Sequence, residues 1–375
     1  MRMKTNIVVF SGYNQRAVIA FLRTLSANNL SCFIIASSKD DPIFLTKYKK
    51  DVIATRKKKE LDKDDIFKWL TFIKNKSGKE KHIIMPTTEA LIRFLLDNRK
   101  IFKDLGFDMP IVNKSLYEDI SDKYKFGSIC SKYNIAVPSE YISLSEAKIP
   151  FVAKPKKYYS NDNRVLNPVL VYNKKDLDKF KNNYNKKDFY YQKFIKGKSF
   201  YLLYYFSKKG CVYKFSQENL IQQHDGKSII AAISSGYHKQ PESLKYEKMF
   251  KDLNFFGLVM IEVRKYRGIN YMIEANPRFW GPSQLFVDAN VNFFESFLHD
   301  QGFLEEKPNE KGVKKETRYF WAGGLYQVLK EGREIVCYGS LSKDIMKNIS
   351  DWMSVDIYNR DDTKEIFKRD NNEIV

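Results

Sequence analysis

The apolar positions of this chain change period along its length, and each period predicts a different kind of element. Residues 6–10 form a short β-branched run. Ser11-Gly12-Tyr13-Asn14 breaks it, and residues 15–27 then carry Val18, Ile19, Leu22 and Leu25 at helical spacing. Further buried strands are predicted at 31–36 and 82–85, with a helix over 89–96 introduced by Pro86-Thr87-Thr88. Strands that alternate with helices predict a parallel sheet. The Ser11-Gly12 turn lacks the G-x-G-x-x-G spacing that brings backbone against a pyrophosphate, so it does not read as a dinucleotide loop.

Beyond Pro110 the pattern shifts. Residues 115–133 predict one helix with Asp122 and Lys123 near its middle, followed by a turn at Val137-Pro138. A strand over 149–154 runs into a polar loop, 156–167, rich in Lys, Asn and Tyr. A strand over 189–194 gives way to Lys196-Gly197-Lys198, and runs at 200–206, 211–215 and 228–233 alternate as antiparallel strands do. Residues 305–316 are charged, contain Pro308, and read as a linker into a C-terminal piece from Thr317 onward. The expected fold is α/β for the first part and α+β for the second.

The segment 257–281, GLVMIEVRKYRGINYMIEANPRFWG, carries the candidate chemistry. It reads as a hairpin, and a turn centred on Gly268 sets Glu262 directly opposite Glu274. Like charges in that position repel and need a cation. Asn276, two residues beyond Glu274, shares its face. Two carboxylates and an amide oxygen are a hard donor set that suits Mg²⁺ better than zinc or copper. Arg278 could hold a phosphate or carboxylate beside the metal. The competing reading is a surface strand pair whose glutamates meet lysines.

Charge adds less. The 375 residues hold 65 Lys plus Arg against 45 Asp plus Glu, a formal +20, but 51 of the cations are Lys and they are spread throughout, with short runs at 57–59 and 314–315. A nucleic-acid reader would concentrate Arg in one segment, so most of this charge reads as solvated surface. No apolar run approaches the length of a membrane span, and the apolar stretch after the basic residues 1–4 stops at Ser11, too early for a signal peptide. Cys32, Cys130, Cys211 and Cys337 show no metal or disulfide spacing and read as buried small hydrophobes in a reducing cytoplasm.

The hairpin motif Glu274-Ala275-Asn276-Pro277-Arg278, with Glu262 before it and Gly281 after, resembles the metal-binding signature of the ATP-grasp family, which includes biotin carboxylase, carbamoyl-phosphate synthetase and the L-amino acid ligases. The resemblance covers most of the chain. Met85-Pro86-Thr87-Thr88-Glu89 is similar to a turn of the family's N-terminal domain, and Asp122-Lys123 with Val137-Pro138 to the segment that opens the grasp. Phe151-Val152-Ala153-Lys154-Pro155 looks like the phosphate-lysine strand, and Tyr191-Gln192-Lys193-Phe194-Ile195-Lys196-Gly197 like the adenine hinge.

The resemblance implies a Rossmann-like pre-grasp domain over 1–112, an ATP-grasp domain over 113–303 (small subdomain 113–195, large subdomain 196–303), and a linker and C-terminal segment over 304–375. It implies ATP with Mg²⁺ (or Mn²⁺) as cofactors. Lys123, Lys154, Gln192, Lys193, Phe194, Ile195 and Ser199 would contact the nucleotide, Glu262, Glu274 and Asn276 the metal, and Arg278 would be catalytic. The implied reaction joins a small-molecule carboxylate, acidic ones among the candidates, to an amine or thiol through an acyl-phosphate, in a cytoplasmic protein for which a homodimer is open. The alternatives are a nucleotide-binding protein without turnover, a bicarbonate-dependent carboxylase, or a basic polyanion-binding module. Trp280 stands for either substrate contact or core, and His224 and His238 read as loop histidines. The sequence departs from the family in one place. No glycine lies between Gly127 and Gly197, so side chains of 156–161 stand where a glycine-rich phosphate loop is usual.

Overall fold

A computed structural model describes residues 5–58, 60–78, 81–160, 162, 164–309 and 312–371. Residues 1–4, Lys59 of the basic run, Asn161 and Asn163 of the polar loop, and Glu310 and Lys311 of the linker lie outside them.

The strands form three sheets. The first is parallel, with β1 (Thr5–Phe10), β2 (Phe33–Ala36), β3 (Val52–Thr55), β4 (Lys81–Ile84) and β5 (Phe107–Asp108) in the order β3-β2-β1-β4-β5. Helix α1 (Gln15–Ala27) buries Val18, Ile19, Leu22 and Leu25. The four-residue length of β3 hid that strand, and the polar sequence 56–77 hid helix α2 (Lys63–Ser77), which is capped by Asp62 and stopped by Gly78 at φ 59°, and which buries only Ile66, Leu70 and Ile73. Gly12 serves a close approach rather than a phosphate, since a Cβ there would lie 1.9 Å from the Ser37 hydroxyl oxygen.

Helix α3 (Glu89–Asp97) follows the Thr88 cap, and α4 (Arg99–Asp104) follows α3. The single helix expected over 115–133 is two, α5 (Lys114–Ser121) and α6 (Lys123–Lys132), because Asp122 leaves helical geometry at ψ 118° and caps α6 through the amides of Tyr124 and Lys125. Lys123 therefore sits on the first turn of a helix.

The second sheet, β6 (Glu140–Tyr141), β7 (Phe151–Pro155), β8 (Val169–Val171) and β9 (Phe189–Lys193), runs β6-β9-β7-β8 around a small core of Phe151, Ala153, Val171, Phe180, Phe189 and Tyr191. The third contains β10 (Lys198–Phe206), β11 (Val212–Gln222), β12 (Ile229–Ser235), β13 (Gly257–Tyr266), β14 (Ile269–Asn276), β15 (Arg318–Phe320) and β16 (Val336–Cys337). Its order is β14-β13-β10-β11-β12-β15, and β16 pairs with the end of β11.

Two expectations change here. Helices α5 and α6, assigned from sequence to the small subdomain, pack on β14 of the large sheet, and Ile120, Phe126 and Cys130 join that sheet's core. The C-terminal segment is woven in rather than appended: β15 and β16 extend the large sheet, and Ile357 and Tyr358 share one core with Val18, Leu203 and Phe294. Among the cysteines, Cys130 is buried, Cys32 half-buried, and Cys211 and Cys337 are exposed, because the last two lie at or next to strand ends of the large sheet.

Candidate functional site

The hairpin fixes the two glutamates, by a route the sequence did not show. Its turn is Arg267-Gly268, both at positive φ (49° and 80°), between the paired Tyr266 and Ile269. That register alone would set Glu262 against Ile273. A bulge at Ile273 takes up one residue, so Glu262 pairs with Glu274 after all. The Ile273 carbonyl accepts a 2.8 Å hydrogen bond from Lys154 Nζ, which arrives from β7. A single irregularity thus aligns both carboxylates and anchors the lysine.

Each glutamate has a protein cation. Lys123 Nζ lies 3.2 Å from Glu274 Oε2, and Arg264 Nε donates to Glu262 Oε1 at 2.8 Å. Burial pushes the Glu274 pKa up, but Lys123, the Asn276 amide and Lys154 outweigh it and hold the carboxyl well below the usual range. Burial pushes Lys123 down, and Glu274 and Glu89 more than offset it, leaving Lys123 above its ordinary value. Lys154 goes the other way: burial, then Lys123, lower it from 10.5 to about 8, and Glu274, Glu262 and Glu140 offset only part of that.

Asn276 does not turn its oxygen to the carboxylates. Its Nδ2 donates to Glu274 Oε1 at 2.8 Å and its Oδ1 accepts from Arg278 Nη2 at 3.1 Å. Arg278 Nη1 donates to the Phe279 carbonyl at 2.8 Å, and the same oxygen accepts from Asn14 Nδ2 at 3.0 Å. Asn14 also reaches the Thr87 carbonyl, and the Phe279 amide donates to Pro86. The first sheet's loops therefore hold Arg278 in place.

These groups face a cleft of about 910 Å³ between the small and large sheets, lined by Lys123, Lys154, Gln192, Lys193, Phe194, Ile195, Glu262, Glu274, Asn276 and Arg278. Eight cationic side chains there face four carboxylates, an excess suited to a polyphosphate. Of the residues expected to form an adenine hinge, one amide is already engaged. The Lys193 amide is taken by the Ser139 carbonyl at 2.9 Å, so Phe194 and Ile195, in irregular backbone after β9, are left to offer amides. Gln192 is buried, and its Oε1 has no hydrogen-bond partner among the described residues.

Ser199 is not at the nucleotide position expected of it. It is fully buried behind the cleft, accepting from Asn219 Nδ2 at 2.9 Å and donating to Glu262 Oε1 at 3.4 Å, because β10 pairs it with Arg264 on β13. Trp280 is core, 1% exposed against Phe286 and Phe293. Trp280→Ala is expected to cost about 3–5 kcal/mol in urea unfolding, and a loss below about 1 kcal/mol would refute that placement. His224 lines the cleft, whereas His238 bonds Ser216 away from it. The glycine-poor loop folds on itself, with Leu166 N donating to the Tyr158 carbonyl at 2.9 Å and Arg93 4.3 Å over the Tyr158 ring.

Sequence reasoning missed Glu89, Gln222, Arg264 and Tyr338, all in the cleft. Arg264 was findable, since it lies two residues from Glu262 on the same strand face. Tyr338 was not. Among the described residues no group of three or more His, Cys, Asp or Glu gathers for a metal, so the available set is two carboxylates and an amide. Those all-oxygen donors, with one Glu262 oxygen taking no hydrogen bond from a described residue, fit a hard divalent cation. No described helix is long and apolar enough to cross a membrane.

No family model matches the chain, and no curated protein matches it. Solved structures do. N5-carboxyaminoimidazole synthetase from Staphylococcus aureus, complexed with ADP, is 13% identical at a TM-score of 0.62, over 94% of this chain and 98% of that one. Biotin carboxylase from Campylobacter jejuni is 14% identical at 0.60, over 84% and 74%. The L-amino acid ligase from Bacillus licheniformis is 16% identical at 0.55, over 81% and 77%. At such identities the likeness is one of fold.

Proposed function

Since this chain has the ATP-grasp fold, we propose that it is an ATP- and Mg²⁺-dependent ligase that joins a small carboxylate to an amine, releasing ADP and phosphate. The observation that carries this reading is the Glu262–Glu274 pair facing Lys123, Lys154 and Arg278 in one cleft. Mg²⁺ held by Glu262 and Glu274, and by Asn276 if its amide turns, would neutralise the phosphates and polarise the transferring group.

The protein's own groups divide the remaining work. Lys154, already fixed on the Ile273 carbonyl, presents its ammonium to the phosphates, and Lys123, paired with Glu274 here, would be free to turn to them if Glu274 held a cation. Phe194 and Ile195 bracket the base. A substrate carboxylate oxygen bonds to the γ-phosphorus as the bond to ADP breaks. Arg278, braced by Asn276 and the Phe279 carbonyl, meets the charge that develops. The amine nitrogen then bonds to the acyl carbon, phosphate leaves, and the amine gives up its proton.

The folded-back loop with Tyr158 under Arg93 favours a second reading, nucleotide binding without turnover. An ADP-release assay against pooled amino acids and carboxylates, with and without bicarbonate, separates the two. Release that needs both a carboxylate and an amine supports the ligase. ATP binding with no substrate-dependent release supports the second reading, and release that needs bicarbonate identifies a carboxylase.

A further inference from the structure

The C-terminal strand reaches the cleft beside Glu262. β16 pairs with the end of β11 (Ile221 with Cys337, Gln222 with Val336), which sets the next residue, Tyr338, against Gln222 and Arg264. The Tyr338 hydroxyl donates to Gln222 Oε1, and the Arg264 guanidinium lies 4.4 Å from the centre of the Tyr338 ring. Gln222 Oε1 also accepts from Arg264 Nη2 at 3.3 Å, while its Nε2 holds the carbonyls of Gly226 and Lys227 at 2.9 and 2.8 Å. The chain of contacts ends on Glu262, whose side chain is 6% exposed against 11% for Arg264.

An arginine beside a carboxylate tends to take both oxygens with its fork. Here it takes only Oε1, through Nε, because the Tyr338 ring stacks on the guanidinium and Gln222 holds Nη2. Among the described residues none donates a hydrogen bond to Glu262 Oε2, which stays available to a cation.

We infer that Tyr338 is a positioning residue for the divalent-cation site, acting through Arg264 to keep one oxygen of Glu262 oriented into the cleft. This rests on the metal–nucleotide reading above. Without the ring, Arg264 either closes on both oxygens or releases Glu262, and both outcomes weaken cation binding. The C-terminal segment, which carries no motif of its own, is thereby part of the site.

The test is Mn²⁺ binding to the full chain in saturating ADP, followed by the electron paramagnetic resonance signal of free Mn²⁺, with ADP affinity in the absence of metal measured alongside. Wild-type protein that binds no Mn²⁺ with ADP sinks the metal–nucleotide reading itself. If it binds, Tyr338→Leu should weaken Mn²⁺ about tenfold and Tyr338→Phe no more than about threefold, as for partners that orient a metal ligand. Metal-free ADP affinity should change little in either. Unchanged Mn²⁺ affinity in Tyr338→Leu overturns the inference, as does an equal loss of metal-free ADP affinity, which would make Tyr338 a nucleotide contact. Should Tyr338→Leu not fold, Arg264→Lys removes the flat stacking surface while keeping the charge. It should show the same loss of Mn²⁺, and wild-type affinity there overturns the inference too.

Discussion

Glu274→Gln is expected to lower ATP-dependent turnover roughly a thousandfold while leaving the chain folded. The size follows from charge. A unit charge pair about 4 Å apart at an effective dielectric of about 20 is worth about 4 kcal/mol, and each 1.4 kcal/mol or so is tenfold. Glu274 is the more sensitive to this change because it holds two partners at once, Lys123 and Asn276, and faces Glu262 across the hairpin, where the like charges call for a cation. Circular dichroism should be unchanged. Turnover within about tenfold of wild type would show that Glu274 holds no metal.

Lys154→Met is expected to have two separate effects. At pH 7 the buried ammonium is charged at a cost, since its pKa falls from 10.5 to about 8 on folding. That difference is on the order of 3 kcal/mol against the charged form, while losing the bond to the Ile273 carbonyl costs about 1–3 kcal/mol, so the variant should melt no lower than wild type. Nucleotide affinity should nevertheless fall roughly ten- to a hundredfold, because a charge-assisted contact to phosphate is lost. The sign of the pH dependence follows from proton binding. Between about pH 8 and 10.5 the unfolded chain keeps the Lys154 proton and the folded chain does not, so wild-type stability rises with pH across that window. The stability of the variant relative to wild type should fall there. In wild type, phosphates restore the proton, so ATP binding above about pH 8 should take up protons and weaken as pH rises. A variant that melts lower and binds ATP as well as wild type would contradict this placement of Lys154.

The alternation of strands and helices in the first hundred residues was legible because buried parallel strands such as β1 are continuous apolar runs. Helix α2 was not, because its few buried positions lie among charged residues, and β3 was not, because it is an apolar run of only four residues. The Glu262–Glu274 pairing could be read from spacing, yet its true cause, a bulge at Ile273 that compensates a two-residue turn, leaves no mark in composition. Ser199 misled because its neighbours match a hinge, while the strand register turns its hydroxyl inward to Glu262. Tyr338 and Arg264 meet only through the pairing of β16 with β11, a contact between segments more than a hundred residues apart. Part of the +20 charge acquires a place in the cation-rich cleft.

The central claim, that the cleft activates a carboxylate by phosphoryl transfer, is tested most directly with a carboxylate substrate labelled with oxygen-18. With Mg²⁺, ATP and the amine partner present, the account predicts that the released phosphate carries one labelled oxygen and that the nucleotide product is ADP. Unlabelled phosphate, or AMP with pyrophosphate, would contradict it.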